Sequence, residues 1–100
     1  MIKNYAEAIE WYNKAIALDP QSAEYFSKRG IAKHCLFDYE GAMKDYTKAI
    51  ELDPSFGQAY LYRAIIYFSW GRQQEACAEL RAARKLGVDD VYKAIQIECP

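Results

Sequence analysis

The chain has little of several residues that chemistry needs: one histidine, three cysteines, three prolines and five glycines in 100 residues. Zinc wants about four clustered ligands, and the only histidine, His34, has a single cysteine beside it, so we expect no metal and no cofactor. Cys35, Cys77 and Cys99 are odd in number, widely spaced and without a C-x-x-C pair. That pattern suits buried or half-buried thiols in a reducing compartment better than a disulfide framework, and the expected location is cytoplasmic. No apolar run approaches the roughly 20 residues of a membrane span. The opening stretch Met1, Ile2, Lys3, Asn4, Tyr5, Ala6, Glu7 lacks the charged and apolar regions of a signal peptide, so we read a soluble protein with no membrane partner. Charge of one sign is missing too. Thirteen basic and fourteen acidic residues are interspersed, for a net charge of -1; phosphate backbones demand a basic footprint, and nucleic acid is not an expected partner.

What remains is apolar surface and a period. Apolar residues are 52% of the chain and no Pro-, Gly- or Ser-rich linker interrupts it, which favours one folded domain over residues 1–100. Displaced by 34 residues, the sequence matches itself: Ala8, Ala42 and Ala76 align, as do Tyr12, Tyr46 and Leu80, then Ala15, Ala49 and Ala83, then Leu18, Leu52 and Leu86. The i, i+4, i+7 spacing of Ala42, Tyr46 and Ala49 puts a large side chain between two small ones on one helical face. Pro20 and Pro54 follow "AIALD" and "AIELD" and stop the preceding helices, because proline lacks an N–H and constrains the residue before it. A second helical pattern follows each stop, through Ala23, Phe26, Gly30 and Leu36 and again through Gly57, Tyr60, Ala64 and Trp70. Each unit therefore reads as a helical hairpin, and Gly30, which costs about 1 kcal/mol in a helix interior, marks a close approach by its neighbour.

These residues resemble the tetratricopeptide repeat, with its signature W-x2-L-G-x2-Y, then A-x3-F, then P. In the unit 23–56, Phe26, Gly30, Ala42, Tyr46 and Pro54 fill the signature positions, while Arg29 and Lys33 replace Leu and Tyr. In the unit 57–90, Tyr60, Ala64, Tyr67, Ala76 and Leu80 fit, with Arg63 for Leu and Val88 for Pro. We expect both arginines to lay their methylenes on apolar surface and keep their heads in water. Residues 1–22 read as a half repeat holding only a second helix, and 91–100 as a C-terminal cap in which Ala94 and Glu98 depart from the pattern. The spacing predicts helices near 4–18, 22–35, 39–52, 56–70 and 73–86, with a short sixth over 89–97 capped by Asp89 and Asp90.

The resemblance implies an all-α, right-handed superhelical array of antiparallel helix pairs that binds a peptide or partner helix along a concave side lined by first helices. The groove candidates it points to, after Glu24, are Ser27, Lys28, Ile31 and His34, then Gln58, Leu61, Tyr62, Ile65 and Phe68. Periodicity alone leaves open whether Ile31, Ile65 and Phe68 face the groove or the core. Some family members grip acidic chaperone tails with a Lys, Asn and Arg clamp; here Lys28 and Tyr62 stand where that clamp has Asn and Arg, which disfavours a co-chaperone role. Trp11 aligns with Asp45 and Glu79, a position the other copies leave to carboxylates and, we expect, to water. It reads either as an isolated surface tryptophan or as a residue that packs against upstream sequence or against a second copy of the chain in a homo-oligomer. No enzyme is expected: His34 and Cys35 are helical neighbours about 100° apart, unable to pair as base and nucleophile, and no phosphate loop, G-x-S-x-G or H-E-x-x-H occurs. The alternative to peptide binding is a spacer or self-association element of a larger repeat protein.

Overall fold

The computed structural model describes residues 4–88 and Cys99. Every regular element among them is an α-helix: α1 (Tyr5–Leu18), α2 (Ala23–Cys35), α3 (Tyr39–Leu52), α4 (Gly57–Ser69) and α5 (Gln73–Lys85). All five expected helices are present within about one residue of the boundaries that the sequence signals set. The short sixth helix and its caps Asp89 and Asp90 lie outside the described residues.

Local chemistry explains where the helices begin and end. Asn4 Oδ1 accepts from the backbone N–H of Ala6 at 2.9 Å, Ser22 Oγ from Tyr25 at 3.2 Å and Asp38 Oδ1 from Gly41 at 3.0 Å. Each oxygen satisfies an N–H that the first turn would otherwise leave without a partner. α1 and α3 stop at Asp19 and Asp53, both held out of helical geometry ahead of Pro20 and Pro54. α2, α4 and α5 end another way. In each, the N–H two residues past the cap reaches back to the last turn, Asp38 to Lys33 O at 2.9 Å, Arg72 to Tyr67 O at 2.8 Å and Val88 to Ala83 O at 3.0 Å. This closure needs a left-handed residue in the middle. Gly71 (φ 75°) and Gly87 (φ 93°) supply it, and Phe37 takes the same role at φ 66°. Val88, standing where the other units have proline, thus belongs to a glycine-capped end.

The chain packs as two compact units, Met1–Pro54 and Ser55–Pro100. In the first, α1 packs on α2 and α2 on α3; in the second, α4 packs on α5. The small-large-small stripe is the seam of each hairpin. Ala42, Tyr46 and Ala49 are 0% exposed, and Ala76, Leu80 and Ala83 at most 1%. A Cβ added to Gly30 would sit 2.7 Å from Tyr46 Cε1, so α2 approaches α3 too closely there for any larger side chain. On α1 the stripe is only partly covered: Ala8 is buried, Tyr12 and Ala15 are half-buried, and Leu18 is exposed.

Candidate functional site

The two arginines that depart from the repeat signature do not keep their heads in water. Arg29 donates from Nε and Nη2 to the two carboxylate oxygens of Asp45 at 2.9 and 2.8 Å, and from Nη1 to Asn13 Oδ1 at 2.9 Å. Lys33 Nζ approaches Asp45 Oδ2 at 3.2 Å. In the second unit Arg63 makes the same two-pronged contact with Glu79, at 2.9 and 2.7 Å. Each guanidinium also lies over the ring of the signature aromatic three residues earlier, Phe26 at 5.3 Å and Tyr60 at 5.7 Å. This corrects the expectation of snorkelling. It also corrects the solvated reading of the carboxylates, since Asp45 is only 3% exposed. The physical reason is bidentate geometry: a planar guanidinium opposite a carboxylate on the paired helix satisfies both where an apolar Leu would otherwise pack. Both pairs are 16 residues apart, 29 to 45 and 63 to 79, a spacing and sign match that the sequence already held.

In the first unit, α1 and α2 border an open groove of about 220 Å³ lined by Tyr5, Ala8, Tyr12, Lys28, Ile31 and Ala32. Two of the candidate residues, Lys28 and Ile31, thus line a real concavity. Lys28 is exposed and paired only loosely with Glu24, Nζ to Oε1 at 4.0 Å. Ser27 is 2% exposed and belongs to the packed interior. His34 is half-buried, its ring edge-on to Tyr39 with centroids 5.1 Å apart, and burial pushes its pKa down from the ordinary value. Tyr5, at the groove mouth, has its phenol pKa raised by a hydrogen bond and charge interaction with Cys35.

In the second unit the candidates divide differently. Leu61 is 4% exposed and forms the core with Ala64, Ala76, Leu80 and Ala83, and Ile65 and Phe68 pack against that cluster. Gln58 is exposed and Tyr62 half-buried. Periodicity missed this division because one helix here offers two apolar faces, and only contact with α5 says which is covered.

Trp11 is 56% exposed, edge-on to Tyr12 at 5.5 Å. It borders a second groove of about 300 Å³ with Lys14, Ala15, Leu18, Asp19 and Tyr25. The cysteine reading is corrected in one respect: Cys77 and Cys99 are joined in a disulfide, while Cys35 is an exposed free thiol. Two half-cystines 22 residues apart carry no sequence signal of pairing, since it is the tertiary fold that brings them together. Among the described residues no group of three or more His, Cys, Asp or Glu is placed to hold a metal ion, and no helix is long and apolar enough to cross a membrane.

The family profile described as TPR repeat matches residues 3–35 and 38–71, two thirds of the chain. The chain belongs to the tetratricopeptide repeat family. It is 45% identical over 74 residues to the small glutamine-rich tetratricopeptide repeat-containing protein 2 of Mycosarcoma maydis, a match over 74% of this chain and 21% of that protein. The chain thus spans about a fifth of that relative's length. Among solved structures it resembles the Arabidopsis OM64 TPR domain (TM-score 0.85, 31% identity, 91% of this chain and 75% of that one). It also resembles the second TPR of Spaghetti bound to the HSP90 peptide SRMEEVD (TM-score 0.78, 34% identity, 82% of this chain and 76% of that one). A third likeness is the TPR2B domain of yeast Sti1 in its pHsp70 complex (TM-score 0.80, 29% identity, 90% and 72%). A TPR module with such neighbours is, in general terms, a protein-interaction scaffold.

Proposed function

We propose that the chain binds an extended peptide, or the end of a partner helix, in the groove between α1 and α2 of the first unit. The observation that carries this is the groove itself: apolar walls from Tyr5, Tyr12 and Ile31 with one exposed ammonium, Lys28, at its rim. An apolar wall offers burial, worth about 1.5–3 kcal/mol for one inserted aliphatic or aromatic side chain, and the ammonium selects an adjacent carboxylate. Two of the solved neighbours are complexed with a peptide or with pHsp70, and the peptide SRMEEVD is acidic. Lys28 and Tyr62 replace the Asn and Arg of the chaperone-tail clamp, so the preferred ligand is an apolar residue beside an acid and not a pair of terminal carboxylates. On α4, Gln58 and Tyr62 are the remaining exposed and half-exposed candidates. Peptides selected from a random library on the whole chain provide the test. Ile31→Asp and Lys28→Glu should each weaken the selected peptides at least about tenfold, a loss of about 1.4 kcal/mol. Undiminished binding by both variants overturns the reading.

A second reading is favoured by a different observation, the exposure of Tyr5 (50%), Trp11 (56%) and Leu18 (89%) along α1. Trp11 and Leu18, seven residues apart on one helical face and bordering the same groove, mark an association surface, and we propose that α1 supports self-association or the packing of neighbouring repeats. In this reading the module is a spacer or assembly element.

A further inference from the structure

The packing of α2 on α3 shows what α1 leaves uncovered. α2 lies along the Ala42, Tyr46 and Ala49 stripe, with Gly30 against Tyr46 and Arg29 clasping Asp45, and all three stripe residues are 0% exposed. α4 packs on α5 with the equivalent clasp, Arg63 to Glu79. α1 carries the same stripe 34 residues earlier, as Ala8, Tyr12 and Ala15. α2 borders it on one side, and among the described residues no helix lies over it: Tyr12 and Ala15 are half-buried, and Leu18 is 89% exposed where Leu52 is half-buried. The grooves of about 220 and 300 Å³ follow one another along this edge, the first bordered by Tyr12 and the second by Tyr25, whose rings stand 6.5 Å apart. Together they follow α1 for its 14 residues, about 21 Å of helix, a length that suits a helix like α2 or α4, each of 13 residues.

Resting on the reading of the α1–α2 groove as a binding site, we propose that its occupant is a whole amphipathic helix of a partner protein, with a small residue against Tyr12 and an apolar one against Trp11. Tyr12 asks for the small residue as Tyr46 does of Gly30. Trp11 asks for the apolar one because it stands where Asp45 and Glu79 hold their arginines. An indole offers no acceptor, so a guanidinium buried there would leave its donors without partners, whereas an aliphatic side chain gains burial against the ring. The same mismatch excludes a second copy as the source of the helix. The two helices of this chain with the matching pattern, α2 and α4, are already seated on α3 and α5, and both carry arginine at that position. Trp11 therefore selects which helices the groove accepts.

Two 13-residue peptides test this, both with the α2 sequence Ala23–Cys35, Cys35→Ala, and a lactam joining Glu24 and Lys28, an exposed i, i+4 pair, to hold the helix. One keeps Arg29 and the other carries Arg29→Leu. Titrated calorimetrically into the whole chain, the Arg29→Leu peptide should bind at least about tenfold more tightly than the arginine peptide. In Trp11→Asp, a change at a position 56% exposed, the preference should reverse, because a carboxylate again faces the arginine. The proposal is overturned by binding of neither peptide, by equal binding of both, by a preference that Trp11→Asp leaves unchanged, or by a parent dimer in sedimentation that the Arg29→Leu peptide does not dissociate. Library-selected peptides that still depend on Ile31 and Lys28 would then leave the groove reading standing without this occupant.

Discussion

Asp45 is the residue on which the first unit is most exposed to single changes. It is almost fully buried and answers two cations, Arg29 and Lys33, whose side chains are 19% and 22% exposed. Removing one partner of a buried pair leaves charges that cannot be resolvated, so Asp45→Ala should cost about 2–4 kcal/mol in denaturant unfolding. Phe37 presents the opposite case. It holds a left-handed backbone at φ 66° while 77% exposed, so its side chain returns little burial for the strain. Phe37→Gly, imitating Gly71 at the equivalent turn, should stabilise the chain by about 1 kcal/mol. His34 titrates with stability. Burial lowers its folded pKa from the ordinary value, so the unfolded chain binds this proton at higher pH than the folded one. The associated stability is present above about 6.5 and is lost as pH falls through the unfolded value towards the lower folded one. Thermal melts between about pH 7.5 and 5.5 should show a shallower decline in His34→Gln.

At the scale of the helices, the contact between α2 and α3 is set by the absence of a side chain at Gly30. Alanine there would gain about 1 kcal/mol of helix propensity. Its methyl, however, would press on the Tyr46 ring, which is 0% exposed and has nowhere to move. Overpacking of this kind costs about 1–3 kcal/mol and exceeds the propensity gain for all but the mildest repacking. Gly30→Ala should therefore lower the urea midpoint, by up to about 2 kcal/mol in stability, and a Gly30→Ala, Tyr46→Leu double variant should recover part of it. The position of this contact was legible in the sequence, because a glycine inside a strongly helical pattern forgoes propensity and a close-packed neighbour is what keeps it there. The arginine clasp was not inferred from the sequence, although 29 with 45 and 63 with 79 repeat the same interval. Reading each arginine against its own helix hid a partner on the paired helix.

For the whole chain, near-neutral charge and an apolar α1 surface put association ahead of electrostatics. If α1 is an assembly surface, sedimentation of the parent should become faster with rising concentration and that of Trp11→Ala should not. A parent that remains monomeric at every concentration would remove that reading and leave the peptide groove standing.

The helices, their ends and their pairing were written into the sequence, because a 34-residue period, two prolines and a small-large-small stripe are local signals that each helix carries by itself. Which of the apolar first-helix residues are buried was decided only by tertiary packing: Ile65 packs against the core while Ile31, its equivalent 34 residues earlier, lines a groove, though periodicity treats them alike. The Cys77–Cys99 bond and the buried Arg29–Asp45 pair belong to the same class. Both join residues far apart in sequence, and no local propensity reports a contact that exists only once two elements have folded against each other.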